Sequence, residues 1–110
     1  MTSSRFNVEV NSQTLIITFL SDVSTEDSAT IKELIQTKPS ILRVLIDLSK
    51  VSLITTPGLG TLVSLSKTCR DLKRRLVLCG LSPYVNEIFD LTRLSPIFEI
   101  LPSREAALSA

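Results

Sequence analysis

Phe6 to Val10 and Thr14 to Leu20 are β-rich runs with alternating or continuous apolar positions, separated by the polar triplet Asn11-Ser12-Gln13, which has the length of a hairpin turn. The chain is therefore expected to open with a β-hairpin. Ser24-Thr25-Glu26-Asp27 then offers a hydroxyl cap with acids in the first turn. Ile31, Leu34 and Ile35 recur at helical spacing until Lys38-Pro39 ends the pattern, which predicts a first helix. Leu42 to Leu48 is a mostly continuous apolar run of strand length, as for a central strand covered on both faces. Thr56-Pro57 follows, read as a hydroxyl N-cap with proline at the first helical position, where its missing N–H costs nothing.

The predicted second helix carries an apolar face of Leu59, Leu62, Val63, Leu65, Cys69 and Leu72 and ends near Arg75. Leu76 to Cys79 reads as another short buried strand broken by Gly80. Ser82-Pro83 repeats the cap-plus-proline start for a helix with Val85, Ile88 and Phe89. A short extended piece lies around Ile97 to Ile100, and Ser103 caps a last helix with Ala106, Ala107 and Leu108. A hairpin followed by alternating helices and strands predicts a single α/β domain over residues 1–110, with an open mixed β-sheet of about 4–5 strands and about four helices packed on it.

Composition narrows the function. Of the 110 residues, 44% are hydrophobic and 21% charged, values of a folding globular domain and far from those of disorder. Twelve basic and eleven acidic residues leave a net charge of +1, so no overall field recruits nucleic acid or an anionic membrane. No leader-like start and no run of eighteen apolar residues is present, so a cytoplasmic protein without membrane insertion is expected. The chain contains no histidine, the commonest general base and zinc ligand. Cys69 and Cys79 fit no metal or redox spacing and read as buried reduced thiols. No cofactor, no metal and no catalysis are expected. The basic residues Lys67, Arg70, Lys73, Arg74 and Arg75 read as a solvated face that complements the helix dipole, and Asp47 as a turn carboxylate.

One segment resists a purely local explanation. Gly58 and Gly60 fall in the first turn of the second helix, where each costs up to about 1 kcal/mol relative to alanine. One reading is that the missing side chains let a partner approach the backbone while Thr55 and Thr56 present hydroxyls at the positive helix end. The other is that Thr56 only caps the helix and the glycines permit close packing. Gly-Leu-Gly lacks both the third glycine of a dinucleotide fingerprint and the Gly-Lys-Ser/Thr of a P-loop, which leaves a small nucleotide-binding protein as a distant alternative.

The segment Val44-Leu45-Ile46-Asp47-Leu48-Ser49-Lys50-Val51-Ser52-Leu53-Ile54-Thr55-Thr56-Pro57-Gly58-Leu59-Gly60 resembles the core motif of STAS domains, specifically of bacterial anti-sigma factor antagonists. Leu76 to Pro83 and Leu91-Thr92-Arg93-Leu94-Ser95-Pro96-Ile97-Phe98 resemble later segments of the same family, in the same order. The resemblance implies a non-enzymatic STAS-like protein that binds an anti-sigma factor of the serine kinase type and thereby releases a sigma factor. It further implies phosphorylation at Thr56, reversed by a metal-dependent serine phosphatase, and a partner surface made of Ser21, Asp22, Val23, Ser24, Thr55, Thr56, Pro57, Gly58, Leu59 and Gly60. Thr55 stands where the family has an aspartate, and Ser24 where it has a second acid. A structural subunit of a lipid-transport ABC complex or of a stress-signalling scaffold is the alternative within the same family. The oligomeric state is left between a monomer and a weak dimer.

Overall fold

Alternating side-chain direction along the strands decides the layers of this domain. In the computed structural model, which describes residues 5–109, the chain runs β1 (Phe6–Asn11), β2 (Thr14–Phe19), α1 (Thr25–Gln36), β3 (Arg43–Asp47), α2 (Thr56–Asp71), β4 (Arg75–Cys79) and α3 (Pro83–Leu91). A 3-10 turn over Ser95–Ile97, β5 (Glu99–Leu101) and α4 (Arg104–Ser109) complete it. The five strands lie in the order β1-β2-β3-β4-β5, with β1 antiparallel to β2 and all other pairs parallel. This is the expected open mixed sheet with an initial hairpin.

Leu15, Ile17 and Phe19 of β2 and Val44 and Ile46 of β3 point to one face, into a core closed by Ile31 and Ile35 of α1, Leu59, Leu62 and Leu65 of α2, and Val85 and Phe89 of α3. Ile16, Leu45, Val77 and Cys79 alternate to the other face, where Ala107 of α4 covers them. β2, β3 and β4 are buried on both sides, which is why their sequences run apolar without strict alternation.

Helix boundaries follow local chemistry with two exceptions. Ser24 caps α1 in a full capping box, with Asp27 accepting from the Ser24 backbone. Ser82 caps α3 by accepting from Val85 N, and Ser103 accepts from Ala106 N. The N-cap of α2, however, is Thr55 and not Thr56. α2 also ends at Asp71 rather than near Arg75, because Lys73 turns left-handed (φ 59°) while its N–H and that of Arg74 return to the carbonyls of Arg70 and Cys69. That termination is normally marked by glycine, and here a lysine fills it. Two residues expected on the buried face of α2, Val63 and Leu72, are exposed. The last strand is shifted to Glu99–Leu101, since Ile97 belongs to the 3-10 turn.

Cys69 and Cys79 are free thiols, both buried. Burial pushes Cys69 up to about 11 and Cys79 up to about 12, the latter helped by the neighbouring Asp47 carboxylate, against an ordinary value of 9.0. The folded thiols keep their protons at a pH where the unfolded ones lose them. Stability is therefore full below about pH 9 and falls as the pH rises toward 11, with a slope of up to about 1.4 kcal/mol per pH unit for each thiol. Urea unfolding at pH 7.5 and 10.5 should show this loss, and a Cys79→Ala background should show less of it.

Candidate functional site

The C-terminal end of β3 leads through the connection 48–55 into α2, and the C-terminal end of β2 leads through Leu20 to Ser24 into α1. Adjacent parallel strands bring these two loops side by side. Asp47 shapes the first. Its Oδ1 accepts from Ser49 N at 2.9 Å, and its Oδ2 pairs with Arg104 Nε at 3.2 Å, which also ties α4 to the sheet. Asp47 is thus a turn carboxylate, as its place in the sequence suggested, and also the partner of a distant arginine, which it did not.

Two sets of hydrogen bonds pin the second loop. Asp27 is buried and takes Arg5 Nε on Oδ1 (2.9 Å) and Ser24 N on Oδ2 (2.9 Å), while Arg5 also reaches the Asp22 side chain and carbonyl. From the other side, the buried Thr61 hydroxyl of α2 donates to Ser24 O at 3.0 Å. Neither Arg5 nor Thr61 stood out in the sequence. A single arginine and a mid-helix threonine carry no local signal, and their roles come from pairings 22 and 37 residues apart.

At the start of α2, Thr55 is extended (φ −98°, ψ 168°) and its Oγ1 accepts from Gly58 N at 3.2 Å. Thr55 therefore takes the capping role that the sequence assigned to Thr56. Thr56 becomes the first helical residue and is exposed, and among the described residues its hydroxyl makes no hydrogen bond. Pro57 is exposed beside it, at the second helical position, where it still removes only an unused donor.

The two glycines separate. A Cβ on Gly58 would sit 2.8 Å from the Val23 carbonyl oxygen, so this glycine is required by the close approach of α2 to the β2–α1 loop. A Cβ on Gly60 would meet nothing within 4 Å, and Gly60 is exposed. Gly60→Ala should therefore raise stability by about 0.5–1 kcal/mol in urea unfolding, the ordinary helix-interior preference. No intramolecular contact explains the glycine there.

The expected residues consequently divide. Ser21, Asp22, Thr55, Thr56, Pro57 and Gly60 lie at the surface, Ser24 is half-buried, and Val23, Gly58 and Leu59 lie beneath as scaffold. Thr56, Gly60 and Val63 follow each other at helical spacing on one exposed ridge, and the exposed Leu53 precedes it. A shallow hollow of about 290 Å³ between Leu20, Ser21, Asp22, Lys50, Ser52 and Leu53 adjoins the ridge. A larger one of about 510 Å³ lies at the opposite end of the sheet, beside Arg43 and Arg75. Those cations are already engaged, Arg75 by Glu99 and Arg43 by Thr14 and the Ala107 carbonyl. Among the described residues no cluster of His, Cys, Asp and Glu is able to hold a metal ion, and no helix is long and apolar enough to cross a membrane.

Comparison with known proteins places this geometry. The chain is 41% identical over 68 residues to the anti-sigma-B factor antagonist of Listeria monocytogenes, a match covering 62% of this chain and 59% of the relative. Protein TM1081 of Thermotoga maritima has the same fold, with a TM-score of 0.82 at 18% identity over 99% of this chain and 90% of that one. So does the Bacillus cell fate determinant SpoIIAA in its phosphorylated form, with a TM-score of 0.68 at 18% identity over 94% of this chain and 96% of that one. The family model for the STAS domain matches residues 5–107, and the chain belongs to that family.

Proposed function

We propose that this chain is an anti-sigma factor antagonist that binds an anti-sigma factor of the serine kinase type through the ridge at the start of α2, and that phosphorylation of Thr56 switches the binding off. The observation that carries the reading is the division of labour between the two threonines. Thr55 caps the helix, and that leaves the Thr56 hydroxyl exposed and unbonded at the positive helix end. The 41% identity to an antagonist, although it spans 59% of that relative, and the known phosphorylated form of SpoIIAA support it.

The physics of such a switch is direct. A phosphoryl group adds a charge of about −1.5 to −2. At Thr56 the helix dipole accommodates it in the free protein, so the modification costs the antagonist little. In a complex the same group has to be desolvated against the partner's surface, which opposes docking there. Removal by a metal-dependent serine phosphatase restores the neutral surface. No group of this chain takes part in the chemistry beyond supplying the acceptor hydroxyl.

Incubation with ATP and the anti-sigma kinase of its own organism, followed by peptide mass mapping, is expected to place one phosphate on Thr56. Thr56→Glu should weaken binding to the same kinase at least tenfold, while Thr56→Ser should retain both binding and modification. A phosphate on another residue, or full-strength binding by Thr56→Glu, refutes the switch.

A further inference from the structure

We propose that the recognition surface runs the whole length of α2, and that its C-terminal half, marked by Lys67 and Arg70, receives a cluster of carboxylates on the anti-sigma factor. The inference rests on the reading that the ridge at the start of α2 meets that partner, and adds the chemistry of the partner's surface. Thr56, Gly60, Val63, Lys67 and Arg70 follow one another at alternating spacings of four and three residues, which keeps them on one side of the helix. All of them are exposed. The ridge described above is thus the first half of a stripe that spans about 21 Å from Thr56 to Arg70.

Charge is sorted along that stripe. From Thr56 to Ser66 no residue is charged, whereas Lys67, Arg70 and, just past the helix end, Lys73 are cationic and exposed. Among the described residues none of these cations enters an ion pair or a side-chain hydrogen bond. Other cations serve the fold: Arg5, Arg75 and Arg104 pair with carboxylates, and Arg74 donates to the Ile35 carbonyl. The one acid of α2, Asp71, closes the helix. The helix dipole accounts for Arg70 in the last turn, but its effect fades within that turn and leaves Lys67 unexplained.

The arrangement fits an acidic protein surface. The domain as a whole carries +1, and no aromatic residue interleaves with these cations, so neither a long-range field nor stacking selects a nucleic acid. A stripe of about 21 Å fits within the roughly 800 Å² that each partner contributes to an ordinary interface, so one protein can touch Thr56 and Arg70 together. Lys67 lies about 16 Å along the axis from Thr56, about twice the screening length at physiological salt. The cations therefore steer the encounter with the partner without acting on the phosphoryl acceptor.

Stopped-flow association of the full chain with the anti-sigma kinase of its own organism, at about 50 mM and about 500 mM salt, tests this. The parent's kon should fall as salt rises. Lys67→Glu and Arg70→Glu should each lower kon about fivefold or more at low salt with koff changed less than about twofold, and the gap should narrow at high salt. Arg70→Lys keeps the charge and should associate as the parent does. Arg93→Glu makes the same change in net charge in the turn after α3, and should leave kon within about twofold. Circular dichroism should show every variant folded as the parent. If Lys67→Glu and Arg70→Glu associate as fast as the parent, or lose no more than Arg93→Glu, the proposal is overturned while the ridge reading stands. A parent kon that rises with salt overturns it as well, because the partner's surface is then not acidic. A parent chain that does not bind the kinase at all overturns the ridge reading and this inference with it.

Discussion

Asp27→Ala should destabilise the protein by about 3 kcal/mol and displace the loop that carries Ser21 to Ser24. Asp27 is 2% exposed and is the shared acceptor for Arg5 and for the Ser24 backbone. Alanine removes the capping box, leaves the Ser24 N–H without its partner in a half-buried place, and takes from Arg5 its buried carboxylate partner while the Asp22 contacts remain. The Arg5 guanidinium holds its proton more tightly than usual mainly because of the Asp27 hydrogen bond and charge. Asp27→Asn keeps the shape and one acceptor oxygen, and should cost less than half as much. Urea unfolding of the two variants measures the difference. Equal losses would show that the shape and single acceptor kept by asparagine contribute nothing, and that only the intact carboxylate holds the loop.

Gly58→Val should cost a similar amount, about 3 kcal/mol, for a different reason. The Cβ position lies 2.8 Å from Val23 O and 3.2 Å from Ile54 Cγ1, and the carbonyl belongs to backbone that cannot easily retreat. Asp27 and Arg5 hold that loop from one side and the Thr61 hydroxyl from the other. Gly58→Ala meets the same carbonyl but recovers up to about 1 kcal/mol of helix preference, so its loss should be about 1–2 kcal/mol. The contrast with Gly60 is the sharper test. Two glycines two residues apart in one helical turn should respond to alanine with opposite signs, and a common sign would contradict the packing described above.

The same contacts explain why the two loops act as one surface. Gly58 lets α2 rest on the Val23 carbonyl, and Thr61 ties the helix to Ser24, so the Thr56 ridge and the loop that carries Ser21 and Asp22 are held in fixed relation to each other. A disturbance at Asp27 should therefore reach the α2 ridge even though Asp27 lies beneath the surface. If Asp27→Asn retains near-parental stability yet weakens binding of the anti-sigma factor, loop position rather than folding is the cause.

Much of this was legible along the chain because it depends on neighbours in sequence. Hydroxyl caps at Ser24, Ser82 and Ser103, the proline after the Ser82 cap, the apolar runs of β2 to β4 and the Asp47 turn are local preferences that the tertiary structure left unchanged. The segment from Ile54 to Gly60 also declared itself, through glycines in a helical turn. What the sequence left open was decided by contacts between distant residues. Read locally, Thr56 ahead of Pro57 is the expected cap, although Thr55 carries the same hydroxyl. In the fold Thr55 accepts from Gly58 N, and Gly58 is seated against Val23, so the cap falls on Thr55 and the hydroxyl of Thr56 is left free. Likewise, only the meeting of β2 and β3 side by side shows that Gly58 answers to the fold while Gly60 faces open space. Local chemistry set where the second helix begins, and long-range packing decided which of its first residues remain available to another molecule.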